Sequence, residues 1–174
     1  MKKLLKKFFT HMNKRYIKTH NLIFIPGSEY NYIYLDIDKY KGKPVTLSDG
    51  TSIKKGDMVI EIHVNNDTVD EVPVRKVIKV FYSETLALAK QLKSNDEFKD
   101  IKAIFGRTVL APLTKRLGFD VFEMKSGYMK RFLKIWDNLI KIVFSSTKKD
   151  KVKFREPQEV WMSRDAIINK LGEK

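Results

Sequence analysis

Two hydrophobic periods divide this chain. From Asn21 to about Asp67, apolar and polar residues alternate at period two in short runs broken by turn signals. Ile33, Leu35 and Ile37 alternate with Tyr34, Asp36 and Asp38. Pro26–Gly27, Lys41–Gly42 and Ser48–Asp49–Gly50 read as turns, so "TLSDGTSI" is predicted to be a tight hairpin or a loop. "KKGD" is a second turn, and it feeds the stretch "MVIEIHVN". From Val72 to about Ser94 the period lengthens to that of a helix, with Val77, Phe81, Leu88 and Leu92 near one face. Asn95 and Asp96 read as a stop and a new cap.

Beyond that cap, "DEFKDIKAIFG" reads as a short helix ended by Gly106, and "LAPLTKRLG" as another ended by Gly118. "FDVFEM" alternates as a strand. Met129 to Ser146 is the longest aromatic helix, with Phe132, Ile135, Trp136 and Leu139 on a wide apolar face. A basic loop follows, then "QEVWM" as a last strand with Trp161 in the core. Ser163 is placed to cap a closing helix that runs to about Leu171. This order predicts an α+β fold: one domain over residues 21–174, with a small mixed or antiparallel sheet packed with several helices. Residues 1–20 read separately, as a basic amphipathic helix. Leu4, Leu5, Phe8, Phe9, Met12 and Tyr16 take one side of it, and Lys2, Lys3, Lys6 and Lys7 the other.

Charge sharpens this division. The formal net charge is +14. Residues 1–28 carry seven Lys or Arg and no acid, and residues 129–155 carry nine against Asp137 and Asp150. The middle of the chain is close to neutral, so two aromatic-rich segments hold the excess. Three uses of the N-terminal helix fit its pattern. It can dock on the core with its lysines in water, lie on an anionic membrane surface, or serve as a nucleic-acid arm. The membrane use draws on Lys2, Lys3, Lys6 and Lys7, and on Lys148, Lys149 and Lys151 in the basic loop. Nucleic acid is the weaker expectation, because no known binding module accompanies the charge. No run of apolar residues is long enough to span a bilayer, and the basic N-terminus lacks the apolar core of a signal peptide. The expected location is cytoplasmic, at the inner face of the membrane.

Candidate chemistry is concentrated on one strand. If Met58–Asn65 is extended, Val59, Glu61, His63 and Asn65 share a face, with Asn66 and Asp67 at its end. A carboxylate two residues from an imidazole can raise the imidazole pKa and orient it as a general base. Glu61 and His63 are therefore the candidate catalytic pair, and Asp57, Asn65 and Asn66 the candidate ligand-binding residues. The same stripe also suits the polar outer face of an antiparallel sheet, which needs no ligand. One His with one carboxylate does not make a metal site, and no cofactor is implied. With no Cys, thiol catalysis and thiolate ligation are excluded. The sequence holds no G-x-S-x-G elbow, phosphate-binding glycine loop or H-E-x-x-H.

Three stretches, "LSDGTSIKKGDMVIEIHVNND", "IKAIFGRTVLAPLTKRLGFDVFEM" and "EVWMSRDAI", resemble the YkoP-like family of Firmicutes. They span roughly residues 45–171. Asp49, Gly50, Gly56, Asp57, Glu61, His63, Asn65 and Asn66 match its most specific run, as do Gly118, Phe119, Trp161 and Ser163 farther on. The family includes small standalone proteins and domains beside polysaccharide deacetylase domains. The resemblance therefore implies a setting in the cell envelope or polysaccharide metabolism, but it brings no activity with it. The expected function is an envelope-associated accessory protein, peripheral at an anionic membrane, with a polar pocket around His63 for a saccharide or lipid head group. The alternatives are a hydrolase or transferase using His63 and Glu61 as an acid–base pair, and a nucleic-acid binder.

Overall fold

The computed structural model describes residues 10–11, 14–65, 74–108, 111–124 and 156–171. Six strands form one sheet: β1 (Ile23–Phe24), β2 (Ile33–Lys39), β5 (Met58–Val64), β6 (Ile101–Thr108), β8 (Gln158–Ser163) and β7 (Asp120–Glu123), in that spatial order. A separate hairpin pairs β3 (Val45–Thr46) with β4 (Ser52–Ile53). Among the described strands, only β5 and β6 run parallel. Their connection contains the long helix α1 (Val74–Ser94), because parallel neighbours need a crossover that a tight turn cannot supply. Two shorter helices follow, α2 (Ala111–Arg116) and α3 (Arg164–Leu171). The result is a single-domain α+β arrangement with a mixed sheet, as the order of periods predicts.

Alternation along the strands divides the apolar residues between two cores. On one face, Leu35, Ile60 and Ile104 pack with Leu88 and Leu92 of α1 and Ile167 of α3. On the other face, Leu47 and Ile53 of the hairpin pack on Val59, Ala103, Phe105 and Trp161. The indole of Trp161 is fully buried, stacks on Phe105 at 4.4 Å and meets Tyr40 edge-on at 5.4 Å. Among the described residues, helices thus pack on one face and the hairpin on the other, over Phe105 and Trp161.

The stretch expected to be a helix ending at Gly106 is instead a 3₁₀ turn, Asp96–Phe98, followed by the strand β6. Asn95 caps the turn by accepting from the Glu97 backbone N–H at 3.0 Å. From Ala103 to Gly106 every residue is buried, because β6 has a core on each side. A strand covered on both faces shows a continuous apolar run and no period, so spacing alone cannot separate it from a buried helix. Gly106 is not a helix stop. A Cβ there would lie 2.8 Å from Ile62 Cγ1 on the adjacent strand, so only glycine fits without displacing Ile62.

Several local predictions hold. Ser163 caps α3 by accepting from the Ala166 N–H at 3.0 Å, and its hydroxyl donates to Asp49 in the hairpin turn. Gly50 and Gly118 adopt positive φ, 87° and 92°, as their turns require. The amphipathic helix expected at 129–146 and the basic loop after it lie outside the described residues.

Periodicity gives no sign of the polar contact that ties α1 to the entry of β2. Glu84 is 1% exposed, yet its carboxylate lies among backbone donors. One oxygen accepts from the N–H groups of Tyr32 and Ile33, both at 3.1 Å. The other accepts from the Ser28 hydroxyl and, at 3.4 Å, from the Tyr30 N–H. Replacing Glu84 with Gln keeps the shape but turns one acceptor into a donor facing donors. Glu84→Gln is expected to lower unfolding free energy by about 2–4 kcal/mol, read from urea denaturation. Amide exchange should accelerate first at Tyr32 and Ile33. An unchanged denaturation midpoint would remove this role.

Candidate functional site

The part of the sheet left open by the hairpin carries the polar stripe predicted on β5. Val59, Glu61 and His63 face away from the helices, as alternation requires. Antiparallel pairing with β2 sets Asp36 directly across from Glu61 and Tyr34 across from His63. Parallel pairing with β6 brings Arg107 alongside, and β8 contributes Glu159, which is opposite Arg107 in register. Three adjacent strands therefore present Glu61, Arg107 and Glu159 in a row. Arg107 Nη1 lies 2.5 Å from Glu61 Oε1, and its Nε lies 3.3 Å from Glu159 Oε1. The guanidinium carbon sits 5.3 Å from the centre of the Phe105 ring, which supports it from below. The Trp161 indole N–H donates to the second oxygen of Glu159 at 3.4 Å.

The row is partly wet, with side-chain exposures of 21% for Glu61, 29% for Arg107 and 25% for Glu159. Burial raises the Glu61 pKa above the ordinary carboxylate value, and Asp36 pushes it the same way; Arg107 opposes both. Glu61 is thus a desolvated acid kept in place by one guanidinium.

His63 departs from expectation. The nearby carboxylate was expected to raise its pKa, yet the imidazole is pushed down to about 4. Burial is the largest cause, followed by the positive charges of Arg107 and His20. Glu61 gives its charge to Arg107, and no hydrogen bond joins Glu61 to His63 among those described. His63 Nε2 is fully buried and has no partner among the described residues. Above the ring lies Tyr16, from helical residues 14–19, edge-on at 5.5 Å. Tyr16 stacks on His20 at 4.1 Å, and His20 Nδ1 lies 3.3 Å from Asp36 Oδ2. The Tyr16 phenol is pushed up to about 12, by burial first and then by Glu61 and Asp36.

The other candidates are dispersed. Asn65 is buried beyond the end of β5, where its side chain donates to the Asn31 carbonyl at 3.0 Å and fastens the loop before β2. Asp57 sits at the opposite end of β5. It closes the turn by accepting from the Lys54 N–H at 2.7 Å, and it pairs with Lys102 at 2.9 Å. Asn66 and Lys2, Lys3, Lys6, Lys7, Lys148, Lys149 and Lys151 lie outside the described residues. Among the described residues, no group of three or more His, Asp and Glu is placed to hold a metal, and no helix is long and apolar enough to cross a membrane. Sequence reasoning missed Arg107, Glu159, Asp36 and Tyr16 as neighbours of His63. Reading β6 as a strand would have placed Arg107 on this face, two residues beyond Phe105.

The depressed His63 pKa has a consequence for stability. The unfolded chain takes up a proton near pH 6.5 that the folded chain refuses until about pH 4. The contribution of His63 to stability is therefore complete above pH 6.5 and lost as pH falls through 4. The loss is at most about 3 kcal/mol. Denaturation measured at intervals from pH 7 to pH 4 should show a shallower decline for His63→Asn than for the parent. Parallel curves would contradict the burial of a neutral imidazole.

Residues 2–171 match the family model of the YkoP domain. The chain is 32% identical over 123 residues, 66% of its own length and 67% of the relative's, to a protein of Bacillus subtilis (strain 168) called "Uncharacterized protein YkoP". No solved structure matches the chain.

Proposed function

The chain belongs to the YkoP domain family, and we propose that it is an envelope-associated accessory protein that binds a polyhydroxylated ligand on the polar sheet face around Glu61, His63 and Arg107. The observation that carries this reading is the Glu61–Arg107–Glu159 row beside a neutral His63. Two carboxylates flank one guanidinium, so acceptors and donors alternate at fixed spacing on a surface that keeps an excess of acid. Such a surface disfavours anions. It suits the vicinal hydroxyls of a saccharide or of a sugar-bearing lipid head group, which both donate and accept. Aromatic area lies close by, where Phe24 and Tyr34 stack at 4.2 Å.

The hydrolase or transferase reading draws less support. A base at pH 7 works best with a pKa near 7, and an imidazole at about 4 has little drive to take a proton. Glu61 is engaged by Arg107 and does not orient the imidazole. The membrane part of the proposal rests on the basic N-terminal helix, whose described cations Lys14, Arg15 and Lys18 are exposed. The inner face of the cell membrane is the proposed location.

Calorimetric titration with soluble saccharides of the envelope tests the site. Binding by the parent chain should weaken at least tenfold, about 1.4 kcal/mol, in Arg107→Met and in His63→Ala. A saccharide that binds both variants as it binds the parent would place the ligand elsewhere, and a panel with no binder would end the reading. For the membrane part, the parent should float with phosphatidylglycerol vesicles and not with phosphatidylcholine vesicles. Reversing Lys2, Lys3, Lys6 and Lys7 to Glu should abolish flotation.

A further inference from the structure

The two covers of this sheet face differ in kind. The β3–β4 hairpin seats Leu47 and Ile53 on Phe105 and Trp161, so lifting it would open an apolar core. The helical segment 14–19 and His20 rest on polar groups: the imidazole of His63 and the carboxylate of Asp36. Lifting that segment would return an imidazole and a carboxylate to water. Its hold is also thin. Tyr16 is 38% exposed, and the His20 side chain that pairs with Asp36 is 44% exposed.

From this contrast we infer that residues 14–20 are a removable cover over the His63–Glu61–Arg107 face, and that an anionic lipid surface removes it. The inference rests on the proposed ligand face and membrane location. An amphipathic helix has one apolar side. Here that side, at Tyr16, is turned to the protein, while Lys14, Arg15 and Lys18 are exposed. Met12, Phe9, Phe8 and Leu5 continue the Tyr16 side toward the N-terminus at helical spacing in the sequence. At a lipid surface the same side must enter the acyl boundary, with the cations among head groups. One apolar side cannot do both. Lipid binding therefore withdraws Tyr16 from His63 and His20 from Asp36, and opens the face to its ligand. By linkage, a ligand that needs the open face strengthens lipid binding by the same factor.

The neutral Nε2 of His63, which has no hydrogen-bond partner among the described residues, supplies the readout, because it reacts with diethyl pyrocarbonate whenever the reagent reaches it. Carbethoxylation of the full chain would be followed by peptide mass mapping, with added N-acetylhistidine reporting the reagent itself. His63 should react slowly in solution and with phosphatidylcholine vesicles, and at least about tenfold faster with phosphatidylglycerol vesicles. The double variant Tyr16→Ala/His20→Ala should show the fast rate without lipid. His20→Asn, which removes the Asp36 contact and the stack on Tyr16 but leaves the phenol over His63, should lie between the two and serves if the double variant does not fold. Co-sedimentation with phosphatidylglycerol at an unchanged His63 rate overturns the cover and leaves the membrane reading standing. Failure to co-sediment overturns the lipid trigger together with that reading, while the saccharide titration still judges the ligand face. A folded double variant in which His63 stays slow overturns the cover without reference to lipid.

Discussion

The buried carboxylate of Glu84 is the constraint on which the rest of the arrangement depends. It gathers the N–H groups that the loop before β2 would otherwise leave unpaired in an apolar setting. Those donors sit at the entry to β2, so the same contact fixes where that strand begins relative to α1. The register of β2 against β5 follows from Ile33 opposite Val64, and it sets Asp36 across from Glu61. A slip of one residue would send Leu35 to the polar face and Asp36 into the core beneath α1. The polar face therefore depends on an acid 23 residues farther along the chain that does not touch it.

The second organising element is β6. With the helices on one side and the hairpin on the other, it is the strand through which both cores communicate. The register shifts between Met58 and Val59, so that Ile101 faces the helical core and Ala103 the hairpin core. At the far end of the strand the hairpin no longer covers the sheet. Arg107 emerges there between acids from both neighbouring strands. A guanidinium can serve two carboxylates at once because its donors form a planar fork, which a lysine could not reproduce.

Electrostatics on this face run against the character of the whole chain. A protein of net charge +14 has here a patch where three acids, Asp36, Glu61 and Glu159, meet Arg107 and His20. Burial pushes the Glu61 carboxyl up, against the pull of Arg107, and the His63 imidazole down. The face thus sets a desolvated acid–guanidinium pair beside a neutral imidazole.

The sequence by itself determined what depends on nearest neighbours. The alternation of Met58–Val64 placed Glu61 and His63 on one face, the Asp49–Gly50 turn made the hairpin, and Ser163 capped the closing helix. These follow from backbone geometry within a few residues. The tertiary structure decided everything that needed a partner far along the chain. Ile101–Thr108 became a strand because distant elements cover both its faces, and its continuous apolar run contains no period to announce that. Arg107 claimed Glu61 across 46 residues, and the charge expected to activate His63 was spent on a guanidinium instead. Tyr16, His20 and Arg107 came to surround His63, and burial set its proton affinity. Neither desolvation nor strand register is a property of local spacing, because both are fixed only when the chain closes on itself.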